Sequence, residues 1–255
     1  MKVLGVIPAR FGSTRFPGKA LARLGNKPVI QWVYENAKRA SGLDEVIIAT
    51  DDERIFRRAE AFKARVFMTS SKHKSGTERV AEVARKIKAG IIVNIQGDEP
   101  FLKKETINRL VREFAKDNQG EIATLVTKIN NPKDLDDPNV VKVVFDRDNY
   151  ALYFSRSRIP YLRNERKNIK WQWYKHLGIY AYRRKSLFDF VRLPPSRLEK
   201  MECLEQLRAL ENGFKIKIIE VEKDTIGIDT SQDLARAKKY LTQFVRQWQF
   251  NDIAI

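Results

Sequence analysis

The chain has 255 residues, 43% of them hydrophobic, and its 49 lysines and arginines outnumber its 32 aspartates and glutamates, giving a formal net charge of +17. This length and composition fit a globular protein and exclude a fibrous or intrinsically disordered chain. The basic residues are dispersed and accompany no nucleic-acid-binding motif, so we expect no nucleic acid as partner. We attribute most of the charge to a densely charged surface and a smaller part to binding of an anionic substrate.

Three features of the sequence bear on its compartment. The chain has one cysteine, Cys203, which excludes an intramolecular disulfide, and its acidic neighbours Glu202 and Glu205 favour an inert thiol over a nucleophile. The first residues follow a strand pattern rather than that of a signal peptide. No apolar stretch approaches the length of a transmembrane helix. We therefore expect a cytoplasmic protein without a membrane partner.

Short apolar runs alternate with helical patterns in the first half of the chain. Strands are predicted at residues 3–8, 45–49, 66–68 and 91–95, and helices at 28–40, 55–62 and 77–88. This alternation predicts βαβ units, and hence an α/β, Rossmann-like fold with a mostly parallel sheet covered by helices on both faces. Ligands bind beyond the carboxyl ends of the strands in such sheets, where the segments after Pro8, Ala49 and Ile95 should meet.

The second half of the chain is less regular. Strands are predicted at residues 122–129, 140–145, 178–182 and 216–221, helices at 198–210 and 231–240, and loops at 130–139 and 156–173. No repeat, low-complexity segment or linker separates the halves. We therefore predict a single domain over residues 1–243, with an inserted subregion that makes the sheet mixed, and a C-terminal tail at 244–255 without an assigned role.

The loop after the first predicted strand, residues 8–19, combines the groups that a triphosphate requires. Its glycines allow close backbone approach, its hydroxyls are hydrogen-bond donors, and its cations neutralise charge; these residues are Gly12, Gly18, Ser13, Thr14, Arg10, Arg15 and Lys19. The glycine spacing differs from both the Walker A loop and the dinucleotide-binding pattern. The alternative interpretation is an ordinary solvated basic loop.

Two aspartates that follow predicted strands are candidate magnesium ligands. Asp98 lies in the segment Asn94-Ile95-Gln96-Gly97-Asp98-Glu99-Pro100, and Asp229 in Gly227-Ile228-Asp229-Thr230. Magnesium is usually bound by one or two carboxylates together with substrate phosphates and water. Each aspartate also has a simpler explanation in a turn or a helix cap, and Asp229 could cap the last helix.

These segments together resemble the 3-deoxy-manno-octulosonate cytidylyltransferases, a family of Rossmann-like sugar nucleotidyltransferases. The likeness extends over about residues 3–240 in the expected order, and the segments that carry it are residues 8–19, 49–51, 73–79, 94–100, 150–156, 176–180, 204–208 and 227–230. The first loop alone would also fit the sialic acid cytidylyltransferases. The segments around Ser75, Ser155, His176 and Gln206 favour the eight-carbon acid sugar 3-deoxy-manno-octulosonate (Kdo).

The resemblance implies transfer of CMP from CTP to Kdo, which activates Kdo for lipopolysaccharide synthesis, with magnesium as cofactor and a homodimer as assembly. It implies that residues 1–121 mainly bind the nucleotide, and that residues 122–210 mainly bind the sugar and form the dimer contact. The implied catalytic residues are Lys19, Arg10, Asp98 and Asp229, and the two aspartates bind the metal. The implied nucleotide-binding residues are Arg10, Ser13, Arg15, Lys19, Ser75, Gly76, Thr77 and Gln96. The implied sugar-binding residues are Gln96, Arg156, His176, Tyr180, Glu205 and Gln206.

Three alternatives stay open at the level of sequence. Ser75 or Thr77 could be a helix N-cap, and His176 could have a purely structural role. The acceptor could be a nine-carbon acid sugar, or the nucleotide could carry another base. The strong positive charge would also suit a nucleic-acid-binding module, although the sequence lacks the aromatic and helical signatures of such modules.

Overall fold

The structure is a computed structural model that describes residues 1–12, 16–163, 172–222 and 227–250, the last nine of these by backbone alone. Its strands are β1 (Val3–Ala9), β2 (Arg23–Leu24), β3 (Lys27–Pro28), β4 (Glu45–Thr50), β5 (Val66–Met68), β6 (Ile91–Asn94), β7 (Ile122–Lys128), β8 (Lys142–Phe145), β9 (Ala151–Ser155), β10 (Tyr174–Arg183) and β11 (Ile216–Glu220). Its helices are α1 (Val29–Lys38), α2 (Glu53–Ala61), α3 (Gly76–Lys86), α4 (Lys104–Lys116), α5 (Lys133–Asp136), α6 (Arg184–Phe190), α7 (Arg197–Glu202), α8 (Gln206–Glu211) and α9 (Ser231–Phe250). None of the described helices combines the length and the hydrophobicity that a bilayer span requires.

The chain divides into two compact units, one made of residues 1–108 and 225–255 and the other of residues 109–224. In the first unit, β1 pairs in parallel with β4 and β6, and β4 pairs in parallel with β5. The residues of β1 are buried apart from the half-buried Pro8. Burial on both faces explains why these strands are continuous apolar runs rather than alternating ones.

Helices α2 and α3 of the first unit begin at side-chain caps. Asp52 caps α2 by accepting a hydrogen bond from the backbone N–H of Arg54, and Ser75 caps α3 by accepting from that of Glu78. Helix α3 buries Val80, Val83 and Ala84, which recur at helical spacing. The helix starts and the strand ends therefore lie close to where the sequence predicts them.

The second unit has a mixed sheet. Strand β11 runs parallel to β7, whereas β10 runs antiparallel to both β7 and β8, and β9 runs antiparallel to β8. The predicted α/β class, with a mixed sheet and helices around it, is confirmed. The predicted inserted subregion, residues 122–210, lies within this second unit.

The structure corrects several predicted elements. The helix predicted at 198–210 is two helices, α7 and α8, because Cys203 has a φ of 51°, a left-handed conformation that ends α7. The loop predicted at 130–139 contains the short helix α5, and the helix predicted at 231–240 continues to Phe250. Helices α4 and α6 and strand β9 were not predicted. Residues 164–171 of the predicted loop at 156–173 and the last five residues of the predicted tail lie outside the described residues.

Candidate active site

The loop that follows β1 is closed by its own backbone. The N–H of Gly18 donates to the carbonyl of Phe11 at 2.8 Å. Gly18 has a φ of +72°, and a Cβ there would lie 2.9 Å from Cε2 of Phe11, so a larger residue would be strained. The guanidinium of Arg54 lies 3.3 Å from the centroid of the Phe11 ring. Arg10 is exposed, whereas the predicted phosphate ligands Ser13 and Arg15 lie outside the described residues.

Lys19 follows this loop and joins the two candidate metal ligands. Its ammonium forms a short ion pair with the carboxylate of Asp98 and lies 3.0 Å from Oδ1 of Asp229. Burial of the ammonium opposes its charge, but the pKa of Lys19 is nevertheless raised, because both carboxylates favour the charged form. Three residues that are distant in sequence therefore meet around one positive charge.

A backbone contact holds the two aspartates together. The N–H of Ile228 donates to the carbonyl of Asp98 at 2.9 Å, so the turns that carry the two carboxylates are joined directly. Helix α9 is capped by Thr230, whose hydroxyl accepts from the N–H of Asp233 at 3.1 Å. The Asp233 carboxylate accepts in return from the N–H of Thr230 at 2.9 Å. The alternative that Asp229 caps this helix is therefore wrong, and its carboxylate faces Lys19 instead.

Pro8, near the carboxyl end of β1, is the meeting point of two further candidate segments. A Cβ at Gly97 would lie 2.8 Å from the carbonyl oxygen of Pro8, and a Cβ at Gly76 would lie 3.3 Å from its Cγ. Glycine at both positions therefore allows the turn that contains Asp98 and the start of α3 to approach β1 closely. Gln96 is half-buried beside this turn.

Ser75 has the role that one alternative assigned to it. Its hydroxyl accepts from the N–H of Glu78 at 3.2 Å, as an N-cap does. Because a hydroxyl that accepts one hydrogen bond can still donate another, the cap leaves room for a contact with a base. Thr77 is buried within the first turn of α3.

The loop before α3 is anchored by side chains that were not predicted as site residues. Arg79 is buried and donates to the carboxylate of Asp51 at 2.8 Å and to the hydroxyl of Thr69. His73 contacts Glu82 at 2.7 Å through Nε2. The signal for Arg79 was present in the sequence, because Arg79 precedes Val83 by four positions and therefore lies beside the apolar face of the predicted helix.

In the second unit, His176 lies beside an irregularity in the pairing of β10 with β7. Leu177 pairs with Leu125, but the next residue of β7, Thr124, pairs with Tyr180, so two residues of β10 bulge out. The Thr124 hydroxyl lies 2.9 Å from Nε2 of His176 and 2.7 Å from the carbonyl oxygen of Ile179. Burial lowers the pKa of His176 to about 3, so the ring is neutral at physiological pH.

The contacts of Thr124 define the tautomer of this histidine. The hydroxyl has one hydrogen and lies 3.1 and 2.7 Å from the carbonyl oxygens of Leu177 and Ile179, which only accept, so it donates to a carbonyl and accepts from Nε2 of His176. A neutral ring that donates from Nε2 leaves Nδ1 as an acceptor. Thr124 was not predicted from the sequence, because nothing in a β-strand pattern marks the residue opposite a bulge.

Other predicted sugar-binding residues lie in the same unit. The rings of His176 and Tyr180 are 5.3 Å apart, and burial raises the pKa of Tyr180 well above its usual value. The Glu205 carboxylate accepts from Arg208 at 3.1 Å, and Gln206 is buried. The side chains are therefore held in place by aromatic and ionic contacts.

Arg156, which was predicted to bind the sugar carboxylate, makes hydrogen bonds to the backbone. Its guanidinium donates to the backbone carbonyls of Glu202, Pro138 and Cys203, at 2.7, 2.8 and 3.3 Å. These bonds use three of the five N–H groups of an arginine. The predicted contact with the sugar carboxylate stays a prediction, and the observed contacts are structural.

The site suits a magnesium ion whose other ligands come from a substrate. Asp98 and Asp229 converge on a single cation, the ammonium of Lys19, so the place already favours positive charge. In the part of the chain that the structure describes, no group of three or more histidine, cysteine, aspartate or glutamate side chains could hold a metal. Two carboxylates completed by phosphate oxygens and water are a common arrangement for magnesium.

Comparisons with known proteins show which family the chain resembles. A family model described as cytidylyltransferase matches residues 4–218. The 3-deoxy-manno-octulosonate cytidylyltransferase of Thermodesulfovibrio yellowstonii is 50% identical, over 96% of this chain and all of that protein. The enzyme of the same name from Geobacter sulfurreducens is 47% identical, over 94% of this chain and all of that protein. A solved structure of CMP:2-keto-3-deoxy-manno-octonic acid synthetase complexed with CTP has a TM-score of 0.90 and 42% identity, and the match covers 95% of this chain and 99% of that one.

Proposed function

The chain belongs to the family of 3-deoxy-manno-octulosonate cytidylyltransferases, and we propose that it transfers CMP from CTP to Kdo with release of pyrophosphate. The observation that carries the proposal is the meeting of Lys19, Asp98 and Asp229 around one cation position at the carboxyl end of a parallel sheet. Ligands of such sheets bind at this edge. The anomeric oxygen of Kdo forms a bond to the α-phosphorus of CTP, the bond from that phosphorus to the bridging oxygen breaks, and pyrophosphate leaves with the electron pair.

The residues of the first unit bind and neutralise the triphosphate in this proposal. Lys19 and Arg10 face negative charge that grows on the leaving pyrophosphate, and fixed positive charge stabilises such a transition state. The Ser75-Gly76-Thr77 segment and Gln96 hold the nucleoside. Asp98 and Asp229 would hold Mg²⁺, which supplies charge neutralisation at the phosphates and acidifies a bound hydroxyl.

The residues of the second unit bind the sugar. His176 offers Nδ1 as a hydrogen-bond acceptor for a sugar hydroxyl, because Nε2 is already bonded to Thr124. The Tyr180 hydroxyl stays protonated, because burial raises its pKa, and it can donate to an oxygen of the sugar. Glu205 and Gln206 supply further polar groups, and Arg156 retains N–H groups for the sugar carboxylate. No side chain is assigned as general base, so the proton of the anomeric hydroxyl leaves to solvent.

Two further parts of the proposal concern the state of the protein in the cell. We propose that the chain forms a homodimer through the region of residues 122–183 and that it works in the cytoplasm. Both follow from the family that the chain belongs to. Sedimentation or light scattering of the purified protein tests the dimer, and a monomer at micromolar concentration would contradict it.

A pyrophosphate-release assay with CTP, Mg²⁺ and a panel of acid sugars tests the reaction. We expect release with Kdo, little with a nine-carbon sialic acid, and little when UTP replaces CTP. Mass spectrometry of the product should show CMP joined to Kdo. Release of pyrophosphate with the sialic acid but not with Kdo would show that the acceptor is the sialic acid and not Kdo. Salt-sensitive binding of random DNA without any pyrophosphate release would instead favour a nucleic-acid-binding protein.

A further inference from the structure

The second unit contains a fully buried lysine that was not predicted to have a role. Lys142, the first residue of β8, has 0% exposure. Its ammonium donates to the backbone carbonyls of Asp137, Val140 and Arg156, at 2.9, 2.6 and 2.5 Å. All three N–H groups of the ammonium therefore donate to backbone oxygens. A buried charge requires such hydrogen bonds, because it has lost its contacts with water.

Arg156 continues the same network toward helix α7. Helix C-termini leave backbone carbonyls without intrahelical partners, and a cation there also interacts favourably with the helix dipole. The guanidinium of Arg156 fills both roles, because it donates to the carbonyls of Glu202 and Cys203 at the end of α7. Cys203 itself has a φ of 51°, a strained conformation for a residue with a Cβ, so the turn needs contacts that hold it.

The side chain of Glu202 closes the network from the other direction. Its carboxylate accepts from the hydroxyl of Ser155 at 2.6 Å and from the N–H of Arg156 at 2.9 Å. Lys142 and Ser155 are directly opposite each other in the pairing of β8 with β9. The end of β9 and the end of α7 are thus joined through both main chain and side chains.

The turn held in this way leads directly into the predicted sugar-binding residues. Glu205 and Gln206 follow Cys203 by two and three positions, and Gln206 is the first residue of α8. A shift of the turn would move both side chains together. A displacement of about 1 Å at a substrate-binding group can lower activity by about 100-fold.

We propose that Lys142 is a positioning residue for the acid sugar: its three carbonyl contacts, with those of Arg156, hold the turn that places Glu205 and Gln206. This inference rests on the proposed function, because Glu205 and Gln206 are sugar ligands only if Kdo is the acceptor. Lys142 itself touches no substrate.

Lys142→Met tests the inference, because methionine keeps an unbranched apolar stem and lacks the ammonium. Initial rates of pyrophosphate release are measured against Kdo and against CTP separately, with Tm as a third measurement. We expect the KM for Kdo to rise about tenfold and the KM for CTP to change by less than about twofold. A purely structural lysine would lower Tm without this difference between the two substrates.

Arg183→Met is the matched control, since Arg183 also donates to two backbone carbonyls, those of Phe114 and Asp117. Its contacts do not involve residues 202–206, so we expect a lower Tm and unchanged KM values for both substrates. Ser155→Ala is a milder second variant, which removes a hydroxyl that donates to Glu202 and accepts from the N–H of Ser157. Ser155→Ala should also raise the KM for Kdo, but by a smaller factor than Lys142→Met. If Lys142→Met does not fold, Ser155→Ala tests the positioning role in its place.

The outcomes separate the inference from the function on which it rests. An active wild type whose KM for Kdo is unchanged in Lys142→Met, or in Ser155→Ala when the first variant does not fold, overturns the positioning role alone. The same holds if Lys142→Met changes both KM values in parallel. A wild type that releases no pyrophosphate from CTP with Kdo overturns the proposed function, and the positioning role with it.

Discussion

The ammonium of Lys19 lies 3.0 Å from Oδ1 of Asp229, a residue 210 positions later in the chain, and it also pairs with Asp98. One cation thus joins the loop after β1, the turn after β6 and the turn before α9. Two carboxylates this close repel each other unless a positive charge lies with them. The arrangement explains why a basic loop and two isolated aspartates form a single site.

Replacement of Asp98 by asparagine should remove catalysis and retain the fold. Asparagine has the same shape but no charge, so a divalent ion loses one of its two protein carboxylates, and we expect kcat to fall by about 10³ or more. Asp189→Asn is the control, because Asp189 forms a surface ion pair with Lys185 and should be close to neutral. Turnover of Asp98→Asn close to the wild-type rate would contradict the metal assignment.

Removal of divalent metal should separate activity from stability. A chelator should abolish pyrophosphate release, yet shift the Tm of the nucleotide-free protein by less than about 2 °C, because Lys19 already pairs with both carboxylates.

Lys19→Met provides the comparison for the metal experiment. Without the ammonium the two carboxylates face each other, so Mg²⁺ should raise the Tm of this variant more than that of the wild type. Calorimetric titration with Mg²⁺ in the absence of CTP checks the same point. A large loss of wild-type Tm on chelation would show that Lys19 does not serve as the neutralising charge.

Ser75→Ala should affect both a helix and a substrate. Loss of the N-cap of α3 should lower the free energy of unfolding by about 1 kcal/mol. If Ser75 also contacts cytosine, the KM for CTP should rise severalfold. Ser196→Ala is the control, because Ser196 caps α7 in the same way and is not a predicted nucleotide ligand. Equal KM values for CTP in the two variants would show that Ser75 caps the helix and does not contact the nucleotide.

Gly97→Ala should weaken both the fold and the site. The added Cβ would lie 2.8 Å from the carbonyl oxygen of Pro8, so the turn that carries Asp98 must move away from β1. We expect the free energy of unfolding to fall by about 1–3 kcal/mol, measured by urea denaturation, and activity to fall with it. Gly12→Ala is the matched control, because nothing lies within 4 Å of a Cβ there, and its effect on stability should stay within about 0.5 kcal/mol.

The pH dependence of stability should carry a contribution from His176. Its pKa is lowered from 6.5 to about 3 by burial, so between these values the unfolded chain binds a proton that the folded chain does not. The contribution of His176 to the free energy of unfolding is therefore fully present above about pH 6.5. Below this pH the free energy of unfolding falls by up to about 1.4 kcal/mol per pH unit. Urea denaturation between pH 7.5 and 5 should show a steeper loss for the wild type than for His176→Gln. Identical slopes would mean that the imidazole is hydrated in the folded protein.

The local patterns of the sequence determined most of the first unit. The strands and helices predicted within residues 3–88 and the strand predicted at 91–95 lie within about two residues of their predicted ends, because each buried strand is a short apolar run and each helix has a regular apolar face. Helix α9 of the same unit continues ten residues beyond its predicted end. The family resemblance rests on segments of both units, and the comparisons confirm it. The second unit was predicted less well, because one left-handed residue, Cys203, divides what its periodicity presents as a single helix.

Only the tertiary structure decided which of two chemically possible roles each residue has. From sequence Asp229 could be a helix cap or a metal ligand, and the hydrogen bond from Ile228 to Asp98, 130 residues apart, turned it toward Lys19. Arg156 was predicted to bind a sugar carboxylate, and the structure adds a second role, because its guanidinium donates to three backbone carbonyls. Sequence patterns report the periodicity of neighbouring residues, whereas these choices depend on which distant backbone groups need a partner after folding.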